Sequence, residues 1–151
     1  MITDTQLQIL GLILRYPDLH CSSIAQKLKL TPMAISKAVR ELEKNKLVTI
    51  VAVGRSRVVR VKFNPEHLEY YSLAEKLQYR KHKLVEKLKQ QDIEFAIIRK
   101  EECLVIAEKP IKKCKTITLQ QFLSEYKNNQ QLLVGERIIV NPYHFWKVIL
   151  S

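Results

Sequence analysis

Cationic and small polar side chains recur at helical spacing in residues 31–46, TPMAISKAVRELEKNK. Aliphatic residues in this stretch follow the spacing i, i+3, i+4 and i+7, which predicts an amphipathic helix. The opposite face carries polar, basic and thioether side chains, namely Met33, Ser36, Lys37, Arg40 and Lys44. Ammonium and guanidinium groups bind phosphates, and a guanidinium can also donate two hydrogen bonds to a guanine edge. Such a face fits a DNA major groove, but it also fits the surface helix of any basic protein.

The residues before this helix predict how it is held. Thr31 is suited to the N-cap, and Pro32 suits the first helical position because its missing N–H costs nothing there. A short helix is predicted over residues 24–28, after an apolar helix over residues 4–16. Because only residues 29–31 connect it to the basic helix, the two helices are expected to form a helix-turn-helix.

The next stretch, residues 47–62, reads LVTIVAVGRSRVVRVK and is rich in residues that favour β-strand. Its turn signal is Gly54-Arg55-Ser56, so a hairpin with its tip near Gly54 is predicted. Basic side chains decorate the tip and the returning strand, namely Arg55, Arg57, Arg60 and Lys62. A basic hairpin in this position is a wing, whose arginines lie along phosphates or enter a minor groove. An edge hairpin kept soluble by its charge remains the alternative.

Residues 4–63 resemble the winged helix-turn-helix of MarR-like and ArsR-like transcription regulators. The resemblance is carried by SSIAQKLKLTPMAISKAVRELEKNKLVTIV and by the hairpin VGRSRVVRVKF. It implies that the basic helix lies in the major groove of DNA and that the hairpin lies beside it. The residues implied as DNA contacts are Thr31, Met33, Ser36, Lys37 and Arg40 in the helix, with Arg55 and Arg57 in the wing. The basic face and hairpin add Lys44 and Arg60 to this set.

Positive charge is concentrated in the first part of the chain. The 151 residues include 26 Lys+Arg and 15 Asp+Glu, which gives a net charge of +11. Residues 1–91 hold 17 basic and 8 acidic side chains, a net of +9, whereas residues 92–151 hold 9 and 7, a net of +2. This asymmetry predicts a polyanion-binding module joined to a nearly neutral one, with general lysine richness as the alternative.

Residues 66–91 contain neither Gly nor Pro and predict one long helix, roughly 39 Å at ~1.5 Å per residue. Its apolar positions have near-heptad spacing and are Tyr70, Leu73, Leu77, Leu84 and Leu88. Such a seam predicts either pairing with a second copy or docking of the C-terminal part. A homodimer would double the contacts with DNA. We therefore divide the chain into a DNA-binding domain (1–64), a connecting or dimerisation helix (65–91) and a small C-terminal domain (92–151).

The C-terminal part predicts a mixture of strands and helices. Apolar runs at residues 93–98 and 103–107 predict an antiparallel hairpin with a tight turn at Lys100-Glu101. A short strand near residues 115–118 is followed by Thr118 and Gln121, which have the spacing of a capping box. A strand over residues 137–140 and an apolar helix over residues 143–150 complete the chain. The expected fold class is α+β, with an N-terminal winged helix-turn-helix, a long connecting helix and a small C-terminal α+β domain.

This C-terminal part also resembles a degenerate form of the small nucleotidyltransferase-like domains attached to winged helices in some archaeal regulators. The resemblance is carried by the apolar hairpin and by TITLQQFLSEYKNNQQLLVGERIIVNPYHFWKVI. The family's catalytic parts are missing: no Gly-Ser turn follows the first strand, and no two Asp residues stand one apart. Glu101, Glu102 and Glu108 lack the alternating spacing that would bring carboxylates onto two metal ions. We therefore expect no enzyme activity.

Other chemistry has little support in the sequence. No P-loop, GxGxxG, HExxH or GxSxG motif occurs, so no cofactor is expected. Cys21, Cys103 and Cys114 form no CxxC pair, so neither a zinc site nor a disulfide framework is predicted. Cys21 and Cys103 are either oxidation-sensitive or inert thiols, and Cys21 lies next to a helix N-terminus. The chain shows no signal peptide and no apolar run of 18 residues, so a reducing cytoplasm and no membrane partner are expected.

These patterns predict a sequence-specific transcription regulator that binds double-stranded DNA as a homodimer in the cytoplasm. A winged-helix replication initiator and a protein-interaction module are alternatives from another class. A nucleotidyltransferase-related enzyme is a third. The residues do not specify the operator, the direction of regulation or a small-molecule effector.

Overall fold

The computed structural model describes residues 2–100 and 102–151. The first part of the chain folds as helices packed against a small antiparallel sheet. In chain order its elements are α1 (Asp4–Arg15), β1 (Leu19–His20), α2 (Cys21–Leu28), α3 (Pro32–Lys44), β2 (Val48–Val53) and β3 (Ser56–Val61). The predicted winged helix-turn-helix is therefore confirmed, with the basic helix of the sequence as α3 and the basic hairpin as β2 and β3.

Strand β1 was not predicted from the sequence. The sheet has the order β1-β3-β2, and β1 pairs with β3 through Leu19 opposite Val59 and His20 opposite Val58. A strand of two residues has no period that a sequence pattern can show. By covering the second edge of β3, β1 fastens the base of the wing to the chain between α1 and α2.

The remainder of the chain forms a second sheet with helices around it. Its elements are α4 (Leu68–Lys76), α5 (Leu84–Lys89), β4 (Phe95–Arg99), β5 (Glu102–Ile106), β6 (Lys115–Ile117), α6 (Leu119–Asn128), β7 (Ile138–Val140) and α7 (Pro142–Ile149). The sheet has the order β6-β5-β4-β7, in which only β5 and β6 run parallel. The fold class α+β is confirmed.

Local sequence signals explain several of these C-terminal elements. The predicted hairpin is β4 and β5, paired from Phe95 opposite Ile106 to Arg99 opposite Glu102. The second residue of its expected turn, Glu101, lies outside the described residues. Helix α6 begins with the predicted capping box, in which Thr118 and Gln121 each accept a backbone hydrogen bond from the other.

The predicted single helix over residues 66–91 is wrong. Two short helices, α4 and α5, occupy this stretch, with one-turn 3₁₀ segments at Pro65–His67 and Tyr79–Lys81. His82 has an extended backbone, with φ −150° and ψ 132°, and it ends the second of these segments. Its Nδ1 accepts a hydrogen bond from the Leu84 N–H (3.1 Å), and its Nε2 lies 2.7 Å from the Lys100 carbonyl oxygen.

Burial explains this break better than helix propensity does. On α4, Tyr71, Ala74 and Glu75 are buried, whereas Leu73 and Leu77 of the expected seam are exposed. On α5, Val85 and Leu88 are buried in a separate cluster against Ala96, Ile98 and Val140 of the sheet. One straight helix would not bring both groups to their places, so tertiary packing overrides the local preference for a continuous helix.

The winged helix and the C-terminal sheet share one hydrophobic core. The main cluster joins residues of α1 and α3, such as Ile13 and Leu42, to Phe95, Phe122 and Phe145 of the C-terminal part. Helices α1 and α4 approach each other closely at Gly11. A Cβ at this position would lie only 3.1 Å from the Ala74 carbonyl oxygen, so the absence of a side chain permits the contact. The division of the chain into three parts remains a prediction. Its boundaries would run through this shared hydrophobic core.

A buried ion pair lies beside the junction between the two parts. Arg137, just before β7, donates to Glu75 of α4 with an Nη1 to Oε2 distance of 2.9 Å, and both side chains are fully buried. The same guanidinium donates to the Leu133 carbonyl (2.8 Å) and the Leu14 carbonyl (3.4 Å). The Gly135 N–H donates to the Arg15 carbonyl (2.7 Å). These bonds fix the end of α1 against the C-terminal part.

Candidate nucleic-acid interface

Helix α3 is held by its start and by its apolar face. The Thr31 hydroxyl accepts a hydrogen bond from the Ala34 N–H (3.1 Å), and Pro32 occupies the first turn, as predicted. The buried side chains are the four aliphatic residues of the predicted stripe, Ile35, Ala38, Val39 and Leu42. Because one face is fixed in the core, the opposite face has a defined direction toward solvent.

The outward face of α3 presents three cations and a thioether. With 3.6 residues per turn, Met33, Lys37, Arg40 and Lys44 lie on the line opposite the buried stripe. All four are exposed, and the Met33 side chain reaches 83% exposure. Ser36 is half-buried at the margin of this line. Within residues 2–100 and 102–151, no ion pair engages the three cations. We call Met33, Lys37, Arg40 and Lys44 the outward stripe.

The turn before α3 is a Schellman motif with a lysine in the left-handed position. Lys29 has φ +56°, its N–H donates to the Gln26 carbonyl (3.3 Å), and the Leu30 N–H donates to the Ala25 carbonyl (3.0 Å). This pattern satisfies the last carbonyls of α2 and reverses the chain within three residues. The angle between α2 and α3 is therefore set by backbone hydrogen bonds rather than by a flexible loop.

The same motif ends α3 and fixes the wing relative to it. Lys46 has φ +64°, its N–H donates to the Glu43 carbonyl (3.0 Å), and the Leu47 N–H donates to the Leu42 carbonyl (2.9 Å). The Glu43 carboxylate also accepts a hydrogen bond from the Ile50 N–H of β2 (3.2 Å). Helix α3 and the wing are thus joined by a short, hydrogen-bonded connection.

The wing turns at Gly54 and Arg55, as predicted. Val53 pairs with Ser56, so two residues make the turn, and Gly54 has φ +61°. Glycine at the first position of a two-residue turn is typical of type II′, which matches the twist of the strands. Arg55 at the tip and Arg57 on β3 are both exposed. The sequence alone placed both arginines correctly on this hairpin.

Arg60 differs from the other arginines of the wing. Its guanidinium forms an ion pair with Asp18, in the segment between α1 and β1, and both side chains are about half exposed. An exposed pair of this kind contributes about 0–1 kcal/mol, so its main effect is to orient the base of the wing. Sequence reasoning missed Asp18, because the two residues lie 42 positions apart and no local pattern links them.

Cys21 and the candidate glutamates do not come together in one site. Burial raises the pKa of the Cys21 thiol, and the nearby Arg57 charge acts in the opposite direction. Glu102 is exposed at the start of β5, and Glu108 is exposed two residues after its end. Glu101 lies outside the described residues. In the described part of the chain, no three His, Cys, Asp or Glu side chains lie close enough to hold a metal ion. Across the same residues, no helix is both long and apolar enough to span a membrane.

Comparison with known proteins identifies the class of the first third of the chain. Residues 2–49 match the family model described as winged helix-turn-helix DNA-binding. This range contains α1, α2 and α3 and ends within β2. No curated protein matches the chain. The N-terminal segment is therefore a winged helix-turn-helix by both its fold and its sequence.

Solved structures with similar parts are more distant. The chain is similar to a variant of ZitR of Lactococcus lactis, with 22% identity over 60% of each chain and a TM-score of 0.44. It is also similar to MepR, a transcription regulator of a Staphylococcus aureus multidrug efflux pump. The identity is 15% over 87% of this chain and 78% of MepR, and the TM-score is 0.44. AF1382 of Archaeoglobus fulgidus is similar as well, with 16% identity over 54% of this chain and 93% of AF1382 and a TM-score of 0.45. The chain thus spans 60% of the length of the first of these proteins.

Proposed function

We propose that this protein is a sequence-specific transcription regulator that binds double-stranded DNA through α3 and the wing. The observation that carries the proposal is the outward stripe. Its three cations form no ion pair with any residue that the structure describes, and they stand with Met33 on a helix whose inner face is fixed in the core. The match of residues 2–49 to winged helix-turn-helix DNA-binding proteins supports the same reading.

The solvent-facing residues of α3 would each make a different contact in a major groove. Arg40 and Lys37 donate to guanine edges or phosphates, and Met33 contacts a thymine methyl group. Lys44 contacts a phosphate near the end of the helix, and Ser36 contacts a base edge. The Thr31 hydroxyl accepts the capping hydrogen bond, and its O–H remains able to donate to a phosphate.

The wing supplies the second set of contacts. Arg55 and Arg57 neutralise backbone phosphates or enter a narrow minor groove, where the negative potential favours arginine. Arg60 adds charge beside the backbone while its pairing with Asp18 orients the wing. Since these contacts release counterions, the affinity is expected to fall steeply as salt is raised.

We infer that two copies act together in the cytoplasm on a symmetric site. Two recognition helices would then enter successive major grooves about one helical turn apart. Leu73 on α4 and Leu77 at its C-terminal end support pairing between copies, because 47% and 44% of their surfaces are exposed. Large apolar side chains adjacent on one helix face are typical of protein interfaces.

The test is selection of bound DNA from a pool of random duplexes, with the full chain at physiological salt. We expect enrichment of one sequence whose two halves are related by a two-fold axis. Enrichment of a single half-site would contradict the pairing of copies but keep the DNA contact. Recovery of unenriched sequences, with binding that depends only on salt, would contradict sequence-specific recognition.

A further inference from the structure

Two of the three cysteines lie side by side in the C-terminal sheet. Strands β5 and β6 run parallel, with Leu104 opposite Lys115. Cys103 of β5 and Cys114, the residue just before β6, precede these two residues, so continuing the register by one residue places them opposite each other. Neighbouring strands lie about 4.7–4.9 Å apart, which falls within the Cα separation that a disulfide bridges.

The two thiols are neighbours. The Cys114 thiol is close enough to raise the pKa of Cys103 by hydrogen bonding, and both cysteines are free thiols. Both pack on the same cluster, which contains Val85, Ala96 and Val105. Because partners in a parallel pair point to the same face of the sheet, this register places both sulfur atoms on one face.

Their surroundings make the two thiols unequal. Burial, together with the hydrogen bond to Cys114, raises the pKa of Cys103 to about 12, so Cys103 keeps its proton at neutral pH. Cys103 is only 8% exposed, whereas Cys114 is half-buried and reachable from solvent. Cys114 is therefore the sulfur that meets an oxidant first, and Cys103 is the neighbour positioned to react with its product.

We propose that Cys103 and Cys114 are a site of reversible oxidation, where a hydroperoxide converts the two thiols into an intrachain disulfide. The Cys114 sulfur attacks the O–O bond, becomes a sulfenic acid and releases an alcohol, or water when the oxidant is hydrogen peroxide. The Cys103 sulfur then attacks Cys114, the S–O bond breaks, and the hydroxyl leaves with the Cys103 proton as water. Two electrons pass from the thiols to the hydroperoxide, and a dithiol reductant reverses the change.

The disulfide would fasten an edge of the sheet. Strand β6 has three residues and pairs only with β5, and residues 107–114 connect the two strands. Lys113 in this connection has φ +69°, an uncommon conformation for a residue with a side chain. A disulfide between Cys103 and Cys114 would link the two ends of this connection. It would reduce the number of conformations available to the connection when β6 separates from β5.

The test is to treat the full chain with hydrogen peroxide, alkylate the remaining thiols and measure the intact mass. We expect two of the three thiols to be protected and the third, Cys21, to be alkylated, with full recovery after dithiothreitol. Digestion without reductant should yield one linked pair of peptides, containing Cys103 and Cys114. Cys21→Ser is the matched control and should form the same disulfide.

Variants sharpen this result. Cys103→Ser should leave Cys114 as a sulfenic acid that a dimedone probe labels, and Cys114→Ser should leave Cys103 slow to oxidise. Alkylation of all three thiols after peroxide would overturn the proposal, and so would a linked peptide that contains Cys21. The unmodified chain gives these two readouts by itself, so a variant that fails to fold does not remove the test.

Discussion

Arg40 stands at the middle of the outward stripe, one turn from Lys37 and Lys44. Its side chain is exposed and forms no ion pair within the described residues, so its donors are free for an external acceptor. A guanidinium is a rigid fork that reads a guanine edge with two hydrogen bonds. In the proposed complex, this one residue carries both charge and sequence information.

Arg40→Ala should weaken binding to the selected DNA by roughly 1–3 kcal/mol, about 5- to 150-fold in Kd. It should also relax the preference at one base position of each half-site. Titration of labelled duplex by fluorescence anisotropy measures both effects. Arg80→Ala is the matched control, because Arg80 is an exposed arginine that lies outside α3 and the wing. Equal losses in the two variants would mean that general charge, and not the outward stripe, holds the DNA.

At the scale of elements, the wing depends on one backbone conformation. Gly54 has φ +61°, and a Cβ added there would meet no atom within 4 Å. Steric crowding therefore plays no part, and any cost of substitution comes from the left-handed backbone alone. This makes Gly54 a clean probe of how firmly the turn is held.

Gly54→Ala should lower the free energy of unfolding by about 1 kcal/mol, since alanine is strained in this conformation. Gly54→Asn should cost less, because asparagine tolerates a positive φ. Urea unfolding of the three proteins gives the comparison. Equal stabilities would indicate that the tip rearranges to a turn without a positive φ, and the DNA affinity would then report whether Arg55 keeps its place.

Elements with a strong local signal were predicted well from the sequence. Helix α3 has a capping threonine, a proline in its first turn and a complete apolar stripe, and the wing has one glycine turn. These signals need no information from the rest of the chain. Residues 66–91 lack such signals at their centre, and there the helix prediction failed. The backbone break at His82 depends on the Lys100 carbonyl, which is 18 positions away.

At the scale of the whole molecule, the Glu75–Arg137 pair lies beside the junction, where the same guanidinium donates to the Leu14 carbonyl at the end of α1. Burial raises the pKa of Glu75, because it penalises the charged carboxylate more than the guanidinium of Arg137 offsets. A buried pair of this kind adds little net stability, but the loss of one partner leaves a buried charge without compensation. The junction is therefore more sensitive to a single substitution than to a paired one.

Arg137→Met should lower the free energy of unfolding by about 3–5 kcal/mol at neutral pH. The pKa of Glu75 then rises further above its unfolded value of ~4.3, so the folded state holds a proton that the unfolded state releases. The deficit relative to the unmodified protein should thus be smallest below about pH 4 and grow as the pH rises. Urea unfolding across that range measures it.

The paired variant Glu75→Leu/Arg137→Met serves as the control for this prediction. It removes both charges, so its deficit should be smaller than that of Arg137→Met and should not grow with pH in the same way. If the paired variant instead loses as much free energy of unfolding as Arg137→Met and Glu75→Leu together, the two side chains contribute independently. The junction would then be held mainly by the shared apolar core.

The sequence by itself determined the helix-turn-helix, the wing, the cationic face of α3 and the alternation of strands and helices after residue 92. It could do so because caps, turns and hydrophobic periods act within a few residues. Only the tertiary structure decided where α4 ends, that Arg60 is paired with Asp18, and that Cys103 lies beside Cys114. Each of these depends on residues distant in the chain, whose meeting is set by the packing of the shared core and not by a local pattern.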